Sequence, residues 1–209
     1  MGILEDAKKI TERLTGVGRP KREDLERAIR QRSPQQYRFQ ESGLVPNHPS
    51  WPLIHYRSAV RLPKGIDPAA LFEDLFKRNG WADSWRNGVY DYLHYHSRIH
   101  EVMGVARGSA VVRFGGVSGR KLRVNAGDVV ILPAGTGHQL ISAGKDFLVV
   151  GAYPATGTYD VCKPAEESYR KSVKTVPRVP QPRKDPVYGR DGNLLALWKK
   201  ARRRSKKTR

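Results

Sequence analysis

Residues 88–108 read GVYDYLHYHSRIHEVMGVARG and place two histidines one residue apart. Alternate side chains of an extended strand leave the same face, so His94 and His96 are predicted to point the same way. Glu101 follows after a predicted turn, where it can open the next antiparallel strand and face the same spot. The stretch therefore predicts two imidazoles and one carboxylate around a common point.

A second stretch, residues 127–138, reads GDVVILPAGTGH and ends in another histidine. Its glycines and its proline predict a tight turn, which would aim the imidazole of His138 inward. Turn signals recur every eight to twelve residues between Tyr90 and Tyr153, around short β-branched and aromatic runs. This pattern is typical of antiparallel all-β sandwiches and barrels. In such a fold we expect His138 to join the earlier cluster.

Three neutral imidazoles and one carboxylate suit one divalent transition metal, with iron, manganese, nickel, cobalt, copper and zinc all open. An octahedral ion held by the four side chains keeps two positions for water, dioxygen or a chelating substrate. Ion and ligands together carry one net positive charge, which favours an anionic or enolisable oxygen ligand. The sole cysteine, Cys162, excludes an internal disulfide framework and a thiolate metal cluster.

Other side chains near the histidines are open to more than one interpretation. Tyr90 and Tyr92 share the parity of His94, so they are predicted as pocket donors or as aromatic strand fillers. His100 points away from Glu101 on an extended chain, which favours a surface position or support of a ligand over ligation. The remaining residues are predicted to be a solvated turn residue (Arg98), core residues (Met103 and Val105) and histidines without assigned function (His48 and His55).

At these positions the sequence resembles the cupin superfamily. The first cupin motif, G-x5-H-x-H-x(3,4)-E-x6-G, is matched throughout, by Gly88, His94, His96, Glu101 and Gly108. The second motif, G-x5-P-x-G-x2-H-x3-N, is matched by Gly127, Pro133, Gly135 and His138, with Ser142 in place of the final Asn. That Asn is not a metal ligand in the family, so the resemblance implies His94, His96, Glu101 and His138 as the ligands.

Longer stretches resemble the YjlB-type bacterial cupins over residues 37–198. They include YLHYHS at 92–97, PAGTGH at 133–138, GAYP at 151–154 and DPVYG at 185–189. The resemblance implies an all-β fold, the double-stranded β-helix or cupin jelly-roll barrel, with one metal. It implies no particular reaction.

The chain divides into three predicted parts. Residues 1–36 form a helical N-terminal arm, since apolar residues recur there at helical spacing. Residues 37–198 form the cupin domain, with a C-terminal strap that returns to the domain surface. Residues 199–209 form a basic, disordered tail. Within the domain, Ile54 to Leu62 is predicted as a strand and Pro68 to Asn79 as a helix stopped by Gly80.

The net charge of +19 is unevenly distributed. The last eleven residues hold eight of the 39 basic residues and no acidic one. Such a tail predicts at most a weak, salt-sensitive and non-specific contact with nucleic acid. A chain without an apolar run of the ~20 residues that a membrane helix needs, and without a signal peptide, is expected to be cytoplasmic. Homodimerisation is expected from the habit of the family and from exposed strand edges.

Two function classes fit the sequence. The first is a metal-dependent enzyme that acts on a small polar or anionic substrate, as a dioxygenase foremost among oxygenase, decarboxylase and isomerase types. The second is a non-catalytic module that binds or senses a metal or small ligand. The complete ligand set favours the enzyme, whereas fold-level similarity does not separate the two classes.

Overall fold

The computed structural model describes residues 17–199, which form two β-sheets with helices packed outside them. In chain order the elements are α1 (Arg22–Ala28), β1 (Gln35–Tyr37), β2 (Leu53–Tyr56), α2 (Pro68–Arg78), β3 (Trp81–Asn87), β4 (Glu101–Arg107), β5 (Ser109–Phe114), β6 (Arg120–Asn125), β7 (Val129–Leu132), β8 (His138–Ala143), β9 (Leu148–Pro154), α3 (Glu166–Thr175) and a 3₁₀ helix (Val176–Arg178). Residues 193–199 are also helical.

The two sheets stack face to face. The larger has the strand order β1-β2-β7-β4-β9-β3 and the smaller β6-β5-β8, with antiparallel pairing throughout. Burial alternates along β5, as expected for a strand with one face toward the core. Between the sheets lies a core that includes Leu53, Met103, Val105, Val112, Phe114, Leu132 and Val149. The prediction of an all-β jelly roll is confirmed.

Helix α2 covers the outer face of the larger sheet. Asp67 caps it by accepting a hydrogen bond from the Ala69 amide at 3.0 Å, and Pro68 occupies the first helical position. A Cβ on Gly104 would lie 2.4 Å from the ring of Phe72, so the absence of a side chain lets the helix pack directly on β4. The helix ends at Arg78, within one residue of the prediction.

The predicted strand over residues 54–62 is shorter in the structure. Strand β2 ends at Tyr56, and Ser58 has a left-handed φ of 48°. The backbone turns there because the Ser58 amide donates to the carboxylate of Asp128 at 2.7 Å. The Asp128 carboxylate takes the place of a backbone carbonyl from a neighbouring strand, so strand pairing does not continue through Ser58.

The C-terminal segment is buried more deeply than a surface strap. Leu194 and Trp198 are fully buried and belong to the core beneath α2. The carboxylate of Asp185 anchors the approach by accepting hydrogen bonds from Tyr56 Oη at 2.7 Å and the Val187 amide at 2.9 Å. Helix α3 was not among the predicted elements, because its sequence is polar and followed by prolines.

Only part of the predicted arm and tail lies within the described residues. Helix α1 packs on the domain through buried Leu25 and Ala28. Residues 1–16 of the predicted arm and residues 200–209 lie outside the residues that the structure describes. In the described part of the chain, the helices fall short of the length and apolarity required to cross a membrane.

Asp128 contributes to stability through buried polar contacts. Its carboxylate accepts hydrogen bonds from the Ser58 amide at 2.7 Å and the Asn125 amide at 3.0 Å, and lies 3.0 Å from His55 Nε2. Burial raises the pKa of Asp128, but these three partners more than offset burial and lower it below its ordinary value.

We expect Asp128→Asn to lower the free energy of unfolding by about 2 kcal/mol near pH 7, since the amide cannot accept every bond. The stabilisation is present above the unfolded-state pKa of about 3.9 and is lost as the pH falls through the lower folded-state pKa. Urea unfolding at descending pH should therefore show the two proteins converging. The exposed Asp191→Asn variant is the control, and a pH-independent gap would contradict the assignment.

Candidate metal centre

The segment before β4 carries the first two histidines. The sequence predicts a strand here, but residues 88–100 form a loop with two isolated bridges, from His94 to His138 and from Tyr95 to Cys162. No continuous ladder forms because adjacent residues pair with different segments. The His94 amide donates to the His138 carbonyl at 3.2 Å, and the His138 amide donates back at 2.9 Å. These bonds bring the two imidazole centroids to 4.0 Å.

The other two predicted site residues each begin a strand. Glu101 is the first residue of β4, as the sequence predicts, and His138 is the first residue of β8. A turn at residues 133–136, closed by the Thr136 amide and the Pro133 carbonyl at 3.1 Å, precedes His138. Both side chains are about 2% exposed. The structure thus brings one group from each sheet to the same point.

The imidazoles of His94, His96 and His138 make the same kind of hydrogen bond. Nδ1 of His94 donates to the Tyr92 carbonyl at 3.1 Å, and Nδ1 of His138 donates to the Thr136 carbonyl at 3.1 Å. Nδ1 of His96 donates to the backbone carbonyl of Asp160. Since a carbonyl only accepts, each Nδ1 carries the proton and each neutral ring presents a lone pair at Nε2. This is the tautomer that metal-binding histidines use.

Glu101 faces these lone pairs. Its Oε2 lies 3.4 Å from Nε2 of His96 and 3.3 Å from Nε2 of His138, without a hydrogen-bond partner of acceptable geometry. A buried carboxylate oxygen that faces imidazole lone pairs is unfavourable unless a cation or a proton lies between them. One atom from each of the three histidines can be chosen so that all lie within 4.8 Å of one another. The buried residues therefore fit a metal ion.

The pKa shifts reflect the same convergence. Burial, followed by the nearby His138, lowers the pKa of His94 to about 3, so this ring is neutral near pH 7. Burial lowers the pKa of His96, but attraction to Glu101 outweighs burial and raises it above its ordinary value. Burial raises the pKa of Glu101, but His96 and His138 overcome it and hold that carboxyl well below its usual range. Protonation of His96 is the alternative to a cation as the way to balance Glu101.

Asp160 fixes the loop that supports His96. Its carboxylate accepts hydrogen bonds from Ser97 Oγ at 2.6 Å and from the amides of Ser97 and Arg98 at 3.0 and 3.1 Å. The same residue supplies the carbonyl for Nδ1 of His96. Sequence reasoning missed Asp160 because it lies far from both motifs, in a segment without a recognisable pattern.

A cavity of about 610 Å³ opens from the four side chains. Tyr90 lines it and is 45% exposed at the rim. Tyr92 is outside the lining; it stacks on Tyr90 at 4.9 Å and lies beneath the Lys163 ammonium at 4.7 Å. Three aromatic residues that the sequence did not single out complete one wall, namely Trp85, Tyr153 and Tyr159.

The other histidines lie outside the cavity. His100 is fully buried, so the surface alternative was wrong. Its Nδ1 accepts from the Ala134 amide at 2.9 Å and its Nε2 donates to the Pro180 carbonyl at 3.1 Å. It thereby supports the turn before His138, in agreement with the alternative role. His48 stacks on Trp51 and His55 contacts Asp128, while Arg98 is exposed as predicted.

The chain is similar to one family of domains and to several solved structures. A family described as "Cupin domain" matches residues 86–151. Among solved structures, acireductone dioxygenase from Bacillus anthracis is 15% identical, with 42% of this chain and 62% of that chain covered and a TM-score of 0.31. An oxalate decarboxylase variant from Bacillus subtilis is 21% identical, with 54% of this chain and 28% of that chain covered and a TM-score of 0.34.

A whole-length relative provides the stronger comparison. An uncharacterised protein of Bacillus subtilis strain 168, YjlB, is 38% identical over 170 residues, which are 81% of this chain and 99% of the relative. Identity at this level over four fifths of this chain and nearly all of the relative extends well beyond the domain match. We conclude that the chain belongs to the YjlB-type cupins.

Proposed function

We propose that His94, His96, Glu101 and His138 bind one divalent transition metal, and that the protein is a metal-dependent enzyme for a small polar or anionic substrate. One observation carries this proposal. The Nε2 atoms of His96 and His138, freed by backbone contacts at Nδ1, lie beside a buried Glu101 oxygen that has no hydrogen-bond partner, and His94 lies close enough to both histidines to complete a three-histidine site. The bound metal would supply activation of dioxygen or Lewis acidity toward a chelated carbonyl.

The aromatic wall provides a fixed hydrogen-bond donor beside the site. Trp85 Nε1 donates to Tyr153 Oη at 2.9 Å, which orients the phenol. Burial, followed by the charge of Glu101, raises the pKa of Tyr153, so the phenol stays protonated near neutral pH. In the proposed enzyme, Tyr153 donates to a substrate oxygen and the apolar wall excludes water. Oxygenase, decarboxylase and isomerase chemistry are all compatible with these roles.

One observation favours a non-catalytic binding or sensing module. Among the described residues that line the cavity, the only carboxylate besides Glu101 is that of exposed Asp83. An enzyme of this design must therefore use a ligand, a phenol or metal-bound hydroxide for proton transfer. Turnover by the metal-loaded protein separates the two functions, since a binding module releases its ligand unchanged.

Elemental analysis of protein purified without a metal-affinity column tests metal binding. We expect near-stoichiometric metal in the wild type and a loss of most of it in His94→Ala, which removes one ligand. His48→Gln is the matched control, because His48 is equally buried but contacts Trp51 instead of the site. Wild-type protein that holds no metal, and takes up none on reconstitution, would contradict the proposal.

Three further expectations concern the whole chain. We propose a homodimer, for which light scattering should give twice the chain mass of 23.6 kDa. We also propose a cytoplasmic location. Contact of the basic tail with nucleic acid is expected to be weak and to disappear as salt is raised.

A further inference from the structure

The cavity beside the proposed metal is lined mainly by apolar and aromatic side chains. Tyr159 lies against His96, with ring centroids 5.3 Å apart, and meets Tyr153 edge to face at 5.1 Å. Val89, Ile99 and Met103 add aliphatic surface deeper in the cavity. A volume of about 610 Å³ is within the range of roughly 300–1,000 Å³ that is common for small-molecule sites. The room exceeds what a few-atom polar substrate fills.

The flat wall is built into the larger sheet. Trp85 of β3 lies across Gly151 of β9, where an added Cβ would come within 2.1 Å of the indole. The indole in turn fixes Tyr153 through the 2.9 Å hydrogen bond. Two aromatic rings are thus held in place before any ligand arrives, which reduces the entropy lost on binding a flat group.

Among the described residues that line the cavity, no lysine or arginine is available to pair with a second anionic group on a ligand. Among its described lining residues the only lysine or arginine is Arg86. Arg86 makes a bidentate contact with Glu73, at 2.7 Å for both Nε and Nη2, and a further bond to Asp67 at 2.8 Å. Two carboxylates therefore already balance this guanidinium.

The charge of the proposed centre sets what the ligand head can be. A divalent ion, three neutral imidazoles and the Glu101 carboxylate leave one positive charge. A monoanionic chelating head neutralises it, whereas a dianion leaves an unpaired negative charge in a largely apolar cavity. A flat apolar group next to the head can pack against Tyr159 and the Trp85–Tyr153 wall.

We propose that this cavity selects a monoanionic oxygen chelator with a flat apolar substituent, and discriminates against ligands with a second negative charge. An enolised dicarbonyl compound with an aryl group is the representative of this class. The inference deepens the proposed function and rests on the metal centre described above. Tyr159 is assigned the role of a specificity residue that contacts the substituent.

The test uses full-length protein loaded with Zn²⁺, which has no redox chemistry and so permits binding to be measured without oxidation. Calorimetric titrations compare acetylacetone, 1-phenyl-1,3-butanedione and 1-(4-carboxyphenyl)-1,3-butanedione, which share one chelating head. We expect the phenyl group to lower Kd about tenfold, and the added carboxylate to reverse this gain. Tyr159→Ala should lower the affinity for the phenyl compound far more than the affinity for acetylacetone, and so abolish the phenyl gain. Tyr169→Ala, outside the cavity, should keep it.

The outcomes separate this inference from the metal site. Failure of the wild type to take up Zn²⁺ contradicts the proposed function itself. Uptake of Zn²⁺ with equal affinity for the phenyl and methyl compounds contradicts the inference alone. Tighter binding of the carboxyphenyl compound, reversed by Arg86→Gln, would show that Arg86 leaves its carboxylates to bind a second anionic group. That result would also overturn the inference.

Discussion

Replacement of Glu101 with glutamine is expected to lower metal affinity more than 100-fold while both sheets remain folded. The amide keeps the shape of the side chain but removes the only anion among the four proposed ligands, so the ion's charge would be uncompensated in a buried site. Loss of a residue that hydrogen-bonds a metal ligand lowers metal affinity roughly 10–100-fold, and loss of the anionic ligand itself should lower it further. The result decides whether the centre uses three histidines alone or also the carboxylate.

Competition with a chromophoric chelator gives the affinity of each protein, and circular dichroism checks the fold. Glu41→Gln is the control, because Glu41 is exposed and binds Tyr169 Oη at 2.7 Å, away from the cavity. Affinity within threefold of the wild type in Glu101→Gln would remove Glu101 from the ligand set and leave the histidines.

Trp198→Ala is expected to produce the largest loss of stability, about 3–5 kcal/mol in the free energy of unfolding. The indole is fully buried, stacks on Trp51 at 4.7 Å and donates from Nε1 to the Pro52 carbonyl at 3.0 Å. Its removal leaves a cavity and an unpaired carbonyl beneath the larger sheet.

Urea unfolding followed by far-UV circular dichroism measures this loss. Leu195→Ala, in the same helical segment but at a partly exposed position, should lose less than half as much. A loss below about 1 kcal/mol in Trp198→Ala would show that the C-terminal segment is peripheral to the folding unit.

Local sequence spacing predicted much of the centre because the motifs encode short-range geometry. The position of Glu101 at the start of β4 and the turn before His138 both follow from residues within a few positions of each side chain. The end of helix α2 was equally well marked, by Gly80 after it. In each case the determinant lies next to the element it specifies.

Long-range contacts account for what was missed. The strand expected around His94 became a loop because its neighbours, His138 and Cys162, lie far along the chain. Trp198 was expected near the surface, since nothing in its own segment shows that Trp51 and Pro52 form a cavity to receive it. Tyr159 and Asp160 reach the site only through the fold, so no spacing rule finds them.

Glu101 opens β4 of the larger sheet and His138 opens β8 of the smaller one. An ion bound by both side chains would therefore connect the two sheets of the jelly roll. Binding to the folded chain alone raises the free energy of unfolding in proportion to the logarithm of ion concentration over Kd. The bonds between the ion and its ligands would then serve both the reaction and the stability of the fold. Replacing one ligand would therefore also weaken the connection between the two sheets beside the cavity.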